Sequence, residues 1–368
     1  MWKIIYIIFR IILLLINIIC VPFILVGCLL DKFDTFLDNI NFYIINKIKK
    51  MNKTIFTHTG KIYIDKNRGL EFLTVGDYGK ENNIKAEFLG LKKEIYGVKH
   101  SEVDLSKKWV ATISTQKGCP MKCKFCDVPK YGFHGNASIE DLIYQIDTII
   151  LSEEVRKTDR FNVHFARMGE PTWNDNVLKF ASEYLKDVVR LDGLEAKTIH
   201  PVVSTMLPKA NKNLKNFIKE WCEIKNKIYN GEAGLQFSIN STDDRQRDIL
   251  FDNKSLSLEE ISNLAKELPD PVGRKYTLNF PVTNETILDA KRLSELFDKD
   301  KFIVKITPIH ETKSAIENGF EVSGYEDYDV YRKFERPLLD EGWDVIVFVP
   351  SKEEDSDRIT CGNAIITE

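Results

Sequence analysis

Apolar and polar positions along this chain repeat with two different periods, and the periods change places in a regular order. From residue 109 onward, apolar runs of strand length fall at 110–115, 161–167, 198–203, 235–239, 275–280, 302–306 and 343–349. Between them apolar residues return every three or four positions, the spacing of a helix with one buried face. Two of these helical stretches open with a capping box, Ser138 with Asp141 and Ser257 with Glu260. Six or seven such strand–helix units predict an α/β fold whose parallel sheet curls into a partial or complete barrel. In barrels of this kind the chemistry sits at the C-terminal ends of the strands.

The stretch 211–230 shows the helical period clearly. Leu214, Phe217, Ile218, Trp221, Cys222 and Ile228 share one face, and Lys212, Lys215, Lys219 and Lys225 lie off it. The pattern predicts a core position for Cys222 and a solvated face for the lysines, with contact to RNA as the lesser alternative. Ahead of residue 107 the pattern is mixed. Short strands are expected at 61–64 and 86–89, with Gly69, Gly76 and Gly79 as punctuation, so 51–106 reads as a small β-rich attachment to a catalytic domain at 107–368.

Residues 1–50 differ in kind. Residues 11–30 contain no charge and are interrupted only by Asn17 and Pro22, which is the length of a membrane-spanning helix. Phe33, Phe36, Leu37, Ile40, Ile44 and Ile48 then recur at helical spacing and lead to Lys47, Lys49 and Lys50, an expected interfacial helix with a basic tether. Lys3 and Arg10 flank the other side, so the charges do not fix an orientation. Two other readings stay open. Leu25-Val26-Gly27-Cys28 fits a bacterial lipoprotein cleavage site, although export would carry oxygen-sensitive chemistry out of the reducing cytosol. Alternatively, translation begins at Met51. The expectation is a cytoplasmic catalytic domain, either tethered to a membrane by one helix or soluble if the chain starts at Met51. Cys20 and Cys28 read as apolar filler.

Composition changes this picture little. With 43% hydrophobic and 29% charged residues the chain is an ordinary folded protein. A net charge of -3 gives no global basic footprint, so any nucleic-acid contact must come from local patches. Seven cysteines with no repeated framework suit a reducing compartment.

Three of those cysteines carry the chemistry. Cys119-Pro120-Met121-Lys122-Cys123-Lys124-Phe125-Cys126 places three thiols in one tight loop just after the first strand of the alternating region. Three thiols can hold one edge of a 4Fe–4S cluster and leave one iron open. An open iron can hold the amino and carboxylate groups of S-adenosylmethionine, and an electron from the cluster then breaks the sulfonium bond to give a 5′-deoxyadenosyl radical. Phe125 supplies part of the apolar shell that keeps water from a cluster. Structural zinc is the competing reading, but it would want a fourth ligand in a second knuckle, and only His134 lies nearby in sequence.

Taken together, these residues resemble the radical S-adenosylmethionine superfamily, and more narrowly the ribosomal RNA methyltransferases that modify adenine at C2 or C8. The resemblance runs over 108–363. It rests on Ile113-Ser114-Thr115-Gln116 leading into Gly118-Cys119, and on Gly132-Phe133 followed by Asn136 and Ser138. Met168-Gly169-Glu170-Pro171 with Asn174 is similar to the motif that binds the methionine amino group, where Gly169 permits close backbone approach and Glu170 offers a charge. The resemblance implies a partial (β/α)6-type barrel, and it implies further cofactor contacts at Ser204-Thr205, at Ser238-Ile239-Asn240 and at Pro308-Ile309-His310. His310 stands where the family usually has Asn. An electron donor such as a flavodoxin is also implied.

Cys361-Gly362-Asn363, after the acidic residues Glu353, Glu354, Asp355 and Asp357, resembles the site of the family's methyl-carrying cysteine. By that resemblance one cofactor molecule methylates the thiolate. The radical from a second takes hydrogen from the S-methyl group, and the carbon radical adds to the adenine ring. The chain departs from the pattern at Thr112, where the family has the cysteine that releases product by forming a disulfide with the carrier. No equivalent of the family's upstream acidic residue stands out, Glu87 and Glu102 being the nearest, and the helical N-terminal RNA-holding domain is replaced. The leading expectation is therefore RNA adenine methylation on a flipped or single-stranded base. Two others stay open: radical chemistry on a peptide, lipid or small molecule, and a metal-bearing binding module without catalysis. Nothing in the sequence fixes the oligomeric state.

Overall fold

The computed structural model describes residues 53–76, 84–85, 105–321, 329–350 and 352–368. The chain divides into two compact units, Met1–Lys50 and Met51–Glu368. The expected membrane helix at 11–30, the amphipathic helix after it, the expected strand at 86–89 and the acidic residues Glu87 and Glu102 all lie outside the described residues. Among the described residues no helix is long and apolar enough to cross a membrane.

The second unit is built on one mixed sheet. Its strands in chain order are β1 (Lys53–Phe56), β2 (Gly60–Asp65), β3 (Leu70–Gly76), β4 (Ile84–Lys85), β5 (Trp109–Thr112), β8 (Lys157–Phe165), β9 (Glu195–Thr205), β10 (Gly234–Ser238), β11 (Tyr276–Val282), β12 (Phe302–Pro308) and β13 (Val345–Phe348). The two remaining strands, β6 (Gln116–Gly118) and β7 (Phe133–Asn136), form a separate antiparallel hairpin. All seven apolar runs singled out from residue 109 onward are strands. They pair in parallel and in chain order from β5 to β13, one strand more than a six-unit barrel. The sheet stays open. On one side β3, β2 and β1 continue it antiparallel, with Leu73 opposite Thr112, and on the other β4 pairs antiparallel with β13. The β-rich segment ahead of residue 107 is therefore hydrogen-bonded into both edges of the same sheet.

Helices cover the sheet because their apolar faces must be buried against it. Helix α1 (Ile139–Leu151) starts at the Ser138–Asp141 capping box and buries Leu142, Ile146, Ile149 and Ile150. Helix α2 (Leu214–Glu223) buries Leu214, Phe217, Ile218, Trp221 and Cys222, with Trp221 edge-on to Phe165 of β8 at 5.9 Å. Cys222 is a core residue, as its helical phase predicts. Lys225 is not on a solvated face: it is buried in the turn that follows, where its ammonium donates to the Val272 carbonyl at 2.6 Å and lies over the Tyr276 ring. Burial pulls its pKa down to about 8. A lengthened turn at Ile224–Ile228 rotates Lys225 away from the helical phase that the sequence pattern assumes. Helix α3 (Asp244–Phe251) and helix α4 (Leu258–Lys266) follow, the latter opened by the Ser257–Glu260 box.

Candidate active site

The hairpin of β6 and β7 holds the cysteine loop at its neck. Gly118 has φ +85°, and a Cβ there would lie 1.8 Å from the Gly132 carbonyl oxygen, so only glycine lets the two sides meet. The Cys119 amide donates to that same carbonyl at 2.9 Å. Beyond the neck, one bond within the loop, from the Cys126 amide to Cys123 O at 3.2 Å, is joined by several to its surroundings. The Lys124 amide donates to Leu250 O, the Asp127 amide donates to Gly362 O, and the Lys254 ammonium donates to Pro120 O.

Cys119, Cys123 and Cys126 are each half-buried between two apolar clusters. One contains Val128, Met168, Ile359 and Ala364 and takes in Cys119 and Cys126. The other contains Met121, Met206, Leu250 and Phe251 and takes in Cys119, Cys123 and Phe125, whose ring meets Phe251 edge-on at 6.0 Å. Burial pushes the Cys119 thiol up to about 12 and holds Cys123 and Cys126 well above the ordinary thiol range, and the mutual repulsion of their negative forms adds to this. A metal that binds such thiols displaces their protons to solvent. Among the described residues no three Cys, His, Asp or Glu side chains converge on one single-ion site. A donor set made only of thiols in an apolar shell fits an iron–sulfur cluster.

The strand ends bring the other expected residues to the same edge of the sheet. Gly169 has φ +99°, and a Cβ would fall 2.6 Å from Gln116 Cβ, so its freedom is already used to admit Gln116. The Glu170 carboxylate is buried and takes the Met206 amide at 3.0 Å, the Thr172 amide at 3.2 Å and the Thr172 hydroxyl at 2.8 Å. Burial pushes its pKa up, and those donors pull against it. Asn174 is likewise occupied, donating to Thr115 O and Ala137 O. Ser204 sits half-buried in β9 opposite Gln236, and Ser238 ends β10. Asn240, two residues further, has φ +62° and is buried with neither side-chain polar atom hydrogen-bonded. The Asn279 side-chain oxygen is also unpartnered. Buried amides in that state fit a polar ligand at this edge. The His310 ring nitrogen Nδ1 lies 3.1 Å from the Asp355 carboxylate.

Cys361 reaches this edge from the far end of the chain. Its thiol points at the Ala166 carbonyl, at 3.6 Å, on a residue that is exposed as a whole. The protein around it still pushes the thiol pKa up, and the charges of Arg167 and Lys305 work the other way. Gly362, at φ +89°, passes so close to the cysteine loop that a Cβ would lie 3.6 Å from Cys126 Cα.

Four residues that frame the site were not foreseen. Arg167 and Glu71 bury an ion pair beside the Cys361 loop. Asp127, directly after the third cysteine, caps the short helix α5 (Lys313–Glu317) through Ser314 and also meets Arg358. Buried Arg247 holds the Ile239, Ser238 and Leu256 carbonyls and so fixes the backbone that presents Asn240. A signal existed for two of them. Arg167 is a charge ending a strand of apolar residues, and Glu71 is a charge inside Leu70-Glu71-Phe72-Leu73.

The fold is that of a radical S-adenosylmethionine methyltransferase from Sphaerobacter thermophilus, with a TM-score of 0.55 at 16% identity over 86% of this chain and 82% of that one. Homologues among curated proteins agree with the resemblance read from the motifs. The chain is 28% identical over 213 residues to the probable dual-specificity RNA methyltransferase RlmN of Pseudothermotoga lettingae, 30% over 216 residues to that of Fervidobacterium nodosum, and 28% over 239 residues to the dual-specificity RNA methyltransferase RlmN of Geobacter sulfurreducens. These alignments cover 56%, 57% and 64% of this chain and span only 57%, 57% and 59% of the relatives' own lengths. No protein-family model matches the chain.

Proposed function

We propose that this chain is an enzyme that uses a 4Fe–4S cluster and S-adenosylmethionine to methylate an adenine in RNA, with Cys361 as methyl carrier. The observation that carries the reading is the approach of the C-terminal loop to the cysteine loop: Gly362 O accepts the Asp127 amide at 2.9 Å, one residue past Cys126. Two segments far apart in sequence, each suited to one half of the chemistry, thus lie together at the strand ends. The names of the homologues support the substrate class.

In this reading Cys119, Cys123 and Cys126 hold the cluster. Gly169, Glu170, Ser204, Ser238, Asn240 and His310 line the cofactor's place, Asn240 offering a donor and an acceptor that the protein leaves unused. When bound, cluster and cofactor supply one-electron chemistry and a methyl group. Cys361 would lose its thiol proton to solvent, the nearby charges of Arg167 and Lys305 favouring the thiolate, and would hold the methyl group supplied by the bound cofactor as a thioether. The apolar walls around Phe125 and Met206 exclude water. A flavodoxin-like electron donor belongs to the same proposal.

Thr112 favours one variant of this reading. It lies in β5 between Leu73 and His164, and the remaining cysteine of the fold, Cys222, is in the core of α2. No thiol among the described residues other than those of the cysteine loop is placed to form a disulfide with Cys361. A substrate other than RNA, such as a peptide or lipid, is the second reading on that ground.

Mass spectrometry of protein purified without air tests the proposal, with S-methylation of Cys361 as the expected result. Active protein that forms 5′-deoxyadenosine with dithionite yet never carries that methyl group refutes the carrier role. Modification maps of cellular RNA with and without the active protein decide between the two substrates.

A further inference from the structure

We infer that Glu71 and Arg167 are positioning residues that fix Cys361 at one station over the cysteine loop, so that the thiol is loaded and used without its loop swinging. The inference rests on the reading of Cys361 as methyl carrier.

The geometry is specific to that loop. The Arg167 and Glu71 side chains are 1% and 0% exposed and form a direct ion pair, with Arg167 Nε donating to Glu71 Oε1 at 2.8 Å. The rest of the guanidinium is spent on backbone carbonyls from both flanks of Cys361. Nη2 donates to Arg358 O at 3.0 Å and Asn363 O at 2.8 Å, and Nη1 donates to Thr360 O at 3.2 Å. Glu71 completes the grip from the downstream side, where Oε2 accepts the Ile365 amide at 2.9 Å and the Ile366 amide. Two side chains thus hold five backbone groups of one short loop. The thiol lies at the Ala166 carbonyl, one residue before Arg167, and Arg167 itself is two residues before Gly169. One strand end therefore carries both the anchor of the thiol and the start of the cofactor motif.

The ion pair as such adds little to stability; what matters is the set of backbone groups it satisfies. A buried ion pair is on balance no better than an apolar pair of the same size. The surroundings here are apolar: Ile62, Leu73, Val75, Ile359, Ala364 and Ile366 form the neighbouring cluster. What an apolar pair could not do is bind three carbonyls and two amides and so dictate where Cys361 sits.

The test uses the full chain with its cluster reconstituted without air, and compares wild type with the double variant Glu71→Met/Arg167→Met and with Arg167→Lys. Four quantities are read: unfolding temperature, iron content, the rate at which Cys361 becomes S-methylated, and the rate at which iodoacetamide alkylates unmethylated Cys361. The double variant leaves three carbonyls and two amides without these partners and is expected to unfold at a lower temperature; in the folded, iron-loaded fraction S-methylation is expected to slow on the order of a hundredfold, the cost of misplacing a reacting atom by about 1 Å. Its alkylation rate is expected to change by tenfold or so in the same protein, as a thiol freed from one station would. Arg167→Lys keeps the charge but not the planar fork and is expected to fall between the two. A folded double variant with wild-type methylation and alkylation rates overturns the inference. Should the double variant not fold, Arg167→Lys decides: an alkylation rate equal to wild type overturns it, and a shifted one upholds it. If wild type never carries the methyl group, the carrier reading fails, and the alkylation comparison still decides the positioning.

Discussion

Glu170 offers a clean separation between a charge that serves a ligand and a charge that serves the protein. Glu170 is 4% exposed, and its two carboxylate oxygens take the Thr172 amide and hydroxyl and the Met206 amide, with the Thr205 hydroxyl as a further partner. Replacing it with alanine strips all of them. Hydrogen bonds to a charged group contribute about 1.5–3 kcal/mol each, and buried donors left alone add to the loss. Allowing for non-additivity, Glu170→Ala is expected to cost about 4–6 kcal/mol. Glu170→Gln keeps the oxygen that faces Thr172 and turns an NH2 toward the Met206 amide, so it loses one charge-assisted bond. It also relieves the burial that pushes the Glu170 pKa up, which offsets part of the loss. A cost of about 1–2 kcal/mol follows. Equilibrium urea unfolding of the three proteins, free of cofactor, measures both. Equal losses for Gln and Ala would refute the reasoning, because the charge rather than its hydrogen bonds would then be what holds the β8 and β9 ends together.

Three other outcomes follow from single features. Gly118→Ala puts a Cβ 1.8 Å from Gly132 O at φ +85°, so the hairpin neck opens; a loss of at least about 3 kcal/mol and of iron binding on reconstitution is expected, seen by unfolding and iron assay. Asp355 is buried, which raises its pKa, but the facing His310, the Glu311 amide and the Thr360 hydroxyl bring it down to about 2. A carboxylate depressed in this way stabilises the fold above its unfolded pKa near 3.8 and loses that effect as pH falls from there toward 2. Asp355→Asn is therefore expected to cost about 2 kcal/mol at pH 7, with the gap to wild type closing below pH 4 in urea titrations. Ser138→Ala removes the half of the α1 capping box in which the Ser138 hydroxyl accepts the Asp141 amide, and is expected to cost about 1 kcal/mol in the same assay, with no change at the cysteine loop.

Local order was legible in the sequence, and long-range order was not. Strand periodicity located every parallel strand because strands buried on both faces read as apolar runs. Helical phase placed Cys222 in the core, and the two capping boxes placed two helix starts. The same phase argument failed at Lys225, where a wider turn breaks the 3.6-residue period. The motif residues reached one edge as expected, but their contacts differ. Gly169, Glu170 and Asn174 read as ligand-facing, yet each is engaged by Gln116, Met206, Thr172, Thr115 or Ala137. Apart from Thr172, these partners lie more than thirty residues away and leave no period in the sequence.

The least legible feature is also the one that makes the first strands part of the site. Read alone, 51–106 is an attachment, because β1 and β2 carry no chemistry. In the sheet, β3 pairs with β5 so that Leu73 faces Thr112, and Glu71, two residues before Leu73, shares its face by the two-residue repeat of a strand. That face is covered by Ile359, Ala364 and Ile366 of the C-terminal segment. Neither partner could be stable without the other: the strands would expose Ile62, Ile64, Leu73 and Val75, and the tail would have nothing to fold on. The two ends of the described chain therefore complete one small core, and Cys361 is carried on its rim. Any change that detaches β3 from β5 must loosen the thiol and the cysteine loop together, since Met168, Val128, Cys119 and Cys126 pack on the same cluster.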